Sequence, residues 1–150
     1  MNEQVEYRVV ERITVAIDGV ETVWSLDQQA TEGSYWTLVL TAPDGASWTG
    51  AAQGLWNAFV ELRRQTDQLG YKLCCAGARV DVIMRKGRDW SNDGVYILSR
   101  RTLLGIHHRA LMMDYAPASK IGTVEEQEAR YDRWLATPWW RAFVPGEVTR

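Results

Sequence analysis

The sequence predicts an α+β fold in which helices cover one face of a largely antiparallel sheet of five or six strands. Residues 11–42 alternate apolar and polar side chains with the period of a β-strand, and turn residues interrupt the alternation. Residues 50–69 instead carry an apolar stripe at helical spacing, and residues 123–136 begin with a capping-box pattern. The 150 residues suit a single domain, 1–150, because no repeat or linker divides them.

An N-terminal β-meander is the first part of this prediction. In ERITVAI, at 11–17, alternate apolar residues share one face. Asp18-Gly19 tolerates the positive φ angles of a two-residue hairpin turn, so a second strand, about Val20 to Leu26, should pair back on the first. The third strand is YWTLVLT at 35–41, and the sequence PDG at 43–45 ends it with a turn.

Two amphipathic helices should pack on this sheet. The central helix is predicted at 50–69, with Thr49 as its cap and Gly70 in the left-handed position after its last turn. The C-terminal helix is predicted at 123–136, because TVEE at its start has the capping-box spacing and Pro138 can end it. Its inner face is expected to consist of Val124, Tyr131, Trp134 and Leu135.

The segment between the helices is predicted to contain the remaining strands. One or two strands are expected at 71–84, with a break or bend at Gly77. A charged turn at 85–94 should lead to a strand at 95–99 and to a further one at 105–113. With these strands, the expected sheet contains five or six strands in all.

The two cysteines, Cys74 and Cys75, are adjacent and are predicted to be core residues. Neighbours on a strand point to opposite faces, so they cannot share a metal or form an unstrained disulfide. No second cysteine pair or spaced histidine motif is present, so neither a metal site nor a cofactor is predicted. Arg79 and Asp81 project from one face of the same segment and can pair there or reach a ligand.

The stretch LCCAGARVDV, which follows an amphipathic helix ending in LG, resembles a segment of small uncharacterised bacterial α+β proteins. The resemblance covers about residues 55–84. It implies a bacterial, cytosolic domain and carries no activity that could be transferred to this chain.

Charge and composition limit the classes of protein to which this chain could belong. The net charge of −2 combines a net −6 over residues 1–71, a net +5 over 72–109 and a net −1 over the remainder. The first residues, MNEQVEYRVVER, are too charged for a signal peptide, and no apolar run is long enough to span a membrane. A cytoplasmic location is therefore expected, since two adjacent cysteines make no disulfide framework.

Eight tryptophans make the chain tryptophan-rich, and the tail PWWRAF concentrates Trp139, Trp140 and Phe143 beside Arg141. These rings either fold back over the sheet or form an exposed aromatic anchor for a protein partner or a homodimer. Because no catalytic motif is present, the leading hypothesis is a non-enzymatic protein-binding module, such as an inhibitor or immunity-type protein.

Two alternatives remain open. A nucleic-acid or phosphate-anion binder could use the basic segment 79–109, where cations alternate with rings, although the pI of about 5.7 is low for that class. A small enzyme could use His107 or His108 as a general base with Asp114. The residues of the proposed anion site are Arg79, Arg85, Lys86, Arg88, Trp90, Arg100 and Arg101.

Overall fold

The computed structural model of this chain describes residues 4–84, 94–106 and 108–143. The predicted α+β class is confirmed. The strands are β1 (Val5–Ile17), β2 (Val20–Thr31), β3 (Tyr35–Thr41), β4 (Ser47–Gln53), β5 (Lys72–Leu73), β6 (Val82–Ile83), β7 (Gly94–Ile97) and β8 (His108–Leu111). The helices are α1 (Leu55–Gln68), α2 (Arg100–Leu103) and α3 (Val124–Leu135), with short 3-10 helices at Ala76–Ala78, Ala118–Lys120 and Trp139–Phe143.

The predicted hairpin between β1 and β2 is confirmed and organises the main sheet. Asp18 and Gly19 have φ angles of 51° and 79°, the positive values that a type I′ turn requires. Ile17 therefore faces Val20, and the ladder continues along most of both strands. The resulting five-stranded antiparallel sheet has the order β4-β3-β2-β1-β5.

Helix α1 begins later than predicted, because the additional strand β4 precedes it. The prediction of a helix start at 50 with Thr49 as its cap was wrong: Thr49 belongs to β4, and Gly54 precedes the helix. Ala52 occupies an apolar position in both the helical and the strand period, so the apolar pattern did not show where β4 ends and α1 begins. Gly70 does take the predicted left-handed conformation, with φ 74°.

The main core lies between α1 and the inner face of the sheet. Phe59 of α1 is fully buried there. Trp24 and Trp36 of the sheet are also buried, and the Trp24 ring stacks on that of Trp48 with centroids 5.4 Å apart. Several of the eight tryptophans thus serve the core.

Of the later strands, β5 joins the main sheet, whereas the other three form a second sheet in the order β6-β7-β8. The predicted strand region 71–84 consists of β5 and β6 with a 3-10 helix between them. The break falls at Gly77 as predicted, where an added Cβ would lie 2.5 Å from the Met112 side chain. The strands predicted at 95–99 and 105–113 are present as the shorter β7 and β8, while residues 85–93 of the predicted turn lie outside the described residues.

The capping box of α3 is confirmed. Thr123 Oγ1 accepts a hydrogen bond from the Glu126 backbone N–H at 3.1 Å, and the Glu126 carboxylate accepts one from the Thr123 N–H at 3.4 Å. The predicted inner face was wrong in part, because Leu135 is 58% exposed whereas Gln127 and Arg130 are buried. Gln127 occupies this face because carbonyl oxygens in and beside the first 3-10 helix lie opposite it and accept hydrogen bonds from its side chain.

Candidate functional site

Three large rings are exposed on the last 3-10 helix, and we call Trp139, Trp140, Arg141 and Phe143 the C-terminal aromatic surface. Trp139 is 63% exposed, Trp140 47% and Phe143 69%. The Trp139 and Phe143 rings meet edge to face with centroids 6.3 Å apart. The Arg141 guanidinium carbon lies 4.9 Å from the Trp140 ring centroid, within range of a cation–π contact.

The end of α3 and the short helix α2 position this surface. Pro138 follows α3, and its carbonyl oxygen accepts a hydrogen bond from the Arg141 backbone N–H at 3.0 Å, which closes the first turn of the 3-10 helix. The 3-10 helix packs against α2. Of the two arrangements that the sequence allowed, the rings therefore adopt the exposed one.

Other indole rings of the chain are buried. Trp24 and Trp36 are only 5% and 7% exposed, so the fold buries indole rings where the sheet offers them a place. Leu135, which ends α3 just before the C-terminal aromatic surface, is also exposed. Clustered exposed apolar side chains are uncommon on monomers and mark interaction sites.

A buried polar cluster that the sequence analysis did not predict surrounds Arg63 of α1, which is 1% exposed. Its guanidinium donates hydrogen bonds to Gln127 Oε1 and to the Gly122 carbonyl oxygen, both at 2.8 Å, and to the Gly77 carbonyl oxygen at 3.4 Å. The guanidinium carbon lies 5.7 Å from the Phe59 ring centroid. These contacts join α1 to α3 and to the first 3-10 helix.

The surroundings of Arg63 indicate a structural role. Burial lowers the pKa of Arg63, and Asp67 one turn later is the strongest charge opposing that shift. The Asp67 carboxylate accepts a hydrogen bond from the Val124 N–H at 2.8 Å, and burial raises its own pKa. A sequence signal did exist, because Arg63 follows Phe59 by four residues and so lies on the apolar stripe.

The two cysteines are buried, as predicted. Cys74 is 1% and Cys75 0% exposed, and both are free thiols. Burial raises the pKa of Cys74 and raises that of Cys75 to about 12. Because the thiolate is the reactive form, burial disfavours a nucleophilic role for either side chain.

The free energy of unfolding should decline as the pH rises above 9.0, the ordinary pKa of the Cys75 thiol. The unfolded chain loses this proton first, and the folded protein retains it until about pH 12, so stability that is complete below pH 9.0 is lost across that window. Urea titrations at a series of alkaline pH values measure the decline. A Cys75→Ala variant should show a shallower slope, and equal slopes would contradict the assignment.

Among the predicted anion-binding residues, Arg79 alone has a described side chain. Its Nε and Nη2 donate to the two carboxylate oxygens of Asp81, each at 2.8 Å, so of the two possibilities left open by the sequence the structure shows the pairing. Arg100 and Arg101 lie in α2, and their side chains are outside the described part. The remaining members, which also lie outside the described residues, are Arg85, Lys86, Arg88 and Trp90.

The predicted catalytic residues are only partly described. His108 is exposed on β8, and the Asp114 carboxylate accepts a hydrogen bond from the Leu111 N–H at 3.1 Å. His107 lies outside the described residues. Across the described ranges, no three His, Cys, Asp or Glu side chains converge as metal ligands. The enzyme alternative stays a prediction.

Comparison with known proteins assigns no family. A scan against protein-family models gives no match, and a search of the curated proteins finds no significant relative. Within residues 4–84, 94–106 and 108–143, no helix is both long and apolar enough to cross a membrane. The resemblance at 55–84 stays a prediction.

Proposed function

We propose that this chain is a non-enzymatic protein-binding module, of the inhibitor or immunity-protein type, which docks a basic partner protein through the C-terminal aromatic surface. The observation that carries the proposal is the exposure of three large rings beside Arg141 on one short helix. Tryptophan and arginine dominate the binding energy of protein interfaces, because they bury a large area in a desolvated contact.

The charge of the first half of the chain supports a basic partner. Residues 1–71 contain 10 acidic and 4 basic side chains. Of the basic ones, Arg63 is buried and Arg8 pairs with Asp27 at 2.7 Å, so little positive charge is free on this part. A negative field accelerates encounter with a positive protein, and salt weakens the effect.

The proposed setting is the bacterial cytoplasm. The resemblance of residues 55–84 to small bacterial proteins supports the bacterial source. The free thiols of Cys74 and Cys75 are compatible with a reducing compartment.

Alanine at Trp139, Trp140 and Arg141 together should abolish partner binding while the fold stays intact, because these side chains contribute little to the core. A partner captured by the wild-type chain from its native host is purified and titrated by calorimetry. The affinity of the triple variant should fall at least about 30-fold, since a single hot-spot residue contributes 2 kcal/mol or more. Circular dichroism checks the fold.

Tyr35→Ala is the matched control, because Tyr35 is an exposed ring on β3, 43% accessible. It should bind as the wild type does. Undiminished binding by the triple variant, or an equal loss in the Tyr35 variant, would remove the C-terminal aromatic surface from consideration. If sedimentation shows a wild-type dimer that the triple variant loses, the occupant is a second copy of the chain and the basic partner is wrong.

A further inference from the structure

Helix α3 presents a row of buried donors, about one per turn, on the side that contacts β6. Gln127, Arg130 and Trp134 follow one another at spacings of three and four residues, so they share one face of the helix. Gln127 Nε2 is satisfied, because it donates to the carbonyl oxygens of Arg79 at 2.7 Å and Gly77 at 3.0 Å. The donors of Arg130 and Trp134, which follow Gln127 on this face, are not satisfied in this way.

Arg130 and Trp134 each bury an N–H group that meets no acceptor among the described residues. Arg130 is 8% exposed, and neither its Nε nor the Trp134 Nε1 has a hydrogen-bond partner there. Buried polar groups in native proteins nearly always have hydrogen-bond partners. The two donors are therefore suited to an acceptor that carries negative charge.

The neighbouring charges also favour an anion. Burial is the main cause that lowers the pKa of Arg130; the positive charge of Arg133 lowers it further, and Asp81 opposes both. Both carboxylate oxygens of Asp81 already accept hydrogen bonds from Arg79. The carboxylate that opposes the shift of Arg130 is thus already engaged by Arg79, and the charge of Arg133 adds to that of Arg130.

We infer that Arg130 and Trp134 form a binding site for a small oxyanion, a phosphate or carboxylate group, held between α3 and residues 79–83. A guanidinium presents parallel N–H donors that match two oxygens of such a group, and the indole N–H supplies another donor. The site is independent of the proposed function, because it uses no residue of the C-terminal aromatic surface.

Proton–nitrogen NMR spectra report on both donors directly. Inorganic phosphate and acetate are titrated separately through the millimolar range at constant ionic strength, with sodium chloride as the reference salt. The Trp134 indole N–H and Arg130 Nε–H signals should shift saturably with an oxyanion but not with chloride, and the tighter anion identifies the ligand class. Absence of a saturable shift with both oxyanions overturns the inference.

An Arg130→Met variant separates an anion site from a structural arginine. In buffer free of phosphate and carboxylates, the variant should unfold at the same temperature as the wild type or higher, because it removes a buried cation whose Nε donor has no hydrogen-bond partner. Phosphate should then raise the unfolding temperature of the wild type and not of the variant. A lower temperature for the variant in both buffers, or an equal phosphate effect on both proteins, would overturn the site.

Two further variants test the individual donors. Trp134→Phe keeps a ring but removes the indole N–H, so the oxyanion affinity should fall about 10-fold, the effect of one hydrogen bond to a charged group. Arg133→Gln is the control, since it changes the nearby charge and leaves both donors in place. It should keep the saturable shift with a smaller loss of affinity, and a larger loss than in Trp134→Phe would contradict the assigned donors.

Discussion

Replacing Arg63 by alanine should lower the free energy of unfolding by about 3–5 kcal/mol. The substitution leaves the Gly122 carbonyl oxygen and Gln127 Oε1 buried without their donor, while the Gly77 carbonyl oxygen keeps the hydrogen bond from Gln127 Nε2. It also opens a cavity beside Phe59, which the guanidinium faces. Urea unfolding followed by tryptophan fluorescence measures the loss.

Arg64→Ala is the matched control, because Arg64 is the next residue of α1 and its side chain is 47% exposed. Arg64 makes only long surface ion pairs, with Glu61 at 3.8 Å and Glu128 at 3.5 Å, so its removal should cost less than about 1 kcal/mol. An Arg63→Lys variant should fall between the two, since one ammonium group cannot reproduce the planar fork. Equal costs for the two alanine variants would show that the Arg63 network does not hold α1 to α3.

Gly50→Ala should destabilise the protein by about 3 kcal/mol, the upper part of the usual range for overpacking. Helix α1 crosses β4 at this glycine, and an added Cβ would lie 2.4 Å from the Ala58 carbonyl oxygen and 2.5 Å from the Leu62 backbone nitrogen. Both atoms belong to the helix backbone, so the whole helix would have to move away from the sheet. The midpoint of urea unfolding measures the effect.

Thr49→Ala is the matched control, because it introduces the same alanine side chain one residue earlier on β4, at an exposed position. It should change the free energy of unfolding by no more than about 0.5 kcal/mol. If Gly50→Ala changed the free energy of unfolding as little as Thr49→Ala, the result would contradict the close approach of α1 to β4.

The residues of the candidate sites could be predicted from the sequence only in part. It singled out Trp139, Trp140, Arg141 and Phe143 as a partner surface but left open whether the rings were covered, because no periodic pattern relates the tail to the sheet. It did not identify Arg63 as a buried cation, although Arg63 follows Phe59 by four residues and so lies on the apolar side of α1. Arg130 was missed for a similar reason, since the inner face of α3 was expected to consist of its larger apolar residues.

The sequence by itself determined the elements whose cause is local. The turn at Asp18-Gly19 and the capping box at Thr123 formed as predicted, because each depends on residues within a few positions along the chain. Only the tertiary structure decided where α1 begins and which polar side chains are buried. The acceptors of Arg63 in α3 and at Gly122 lie 64 and 59 residues away in the chain, so no local pattern could bring them together.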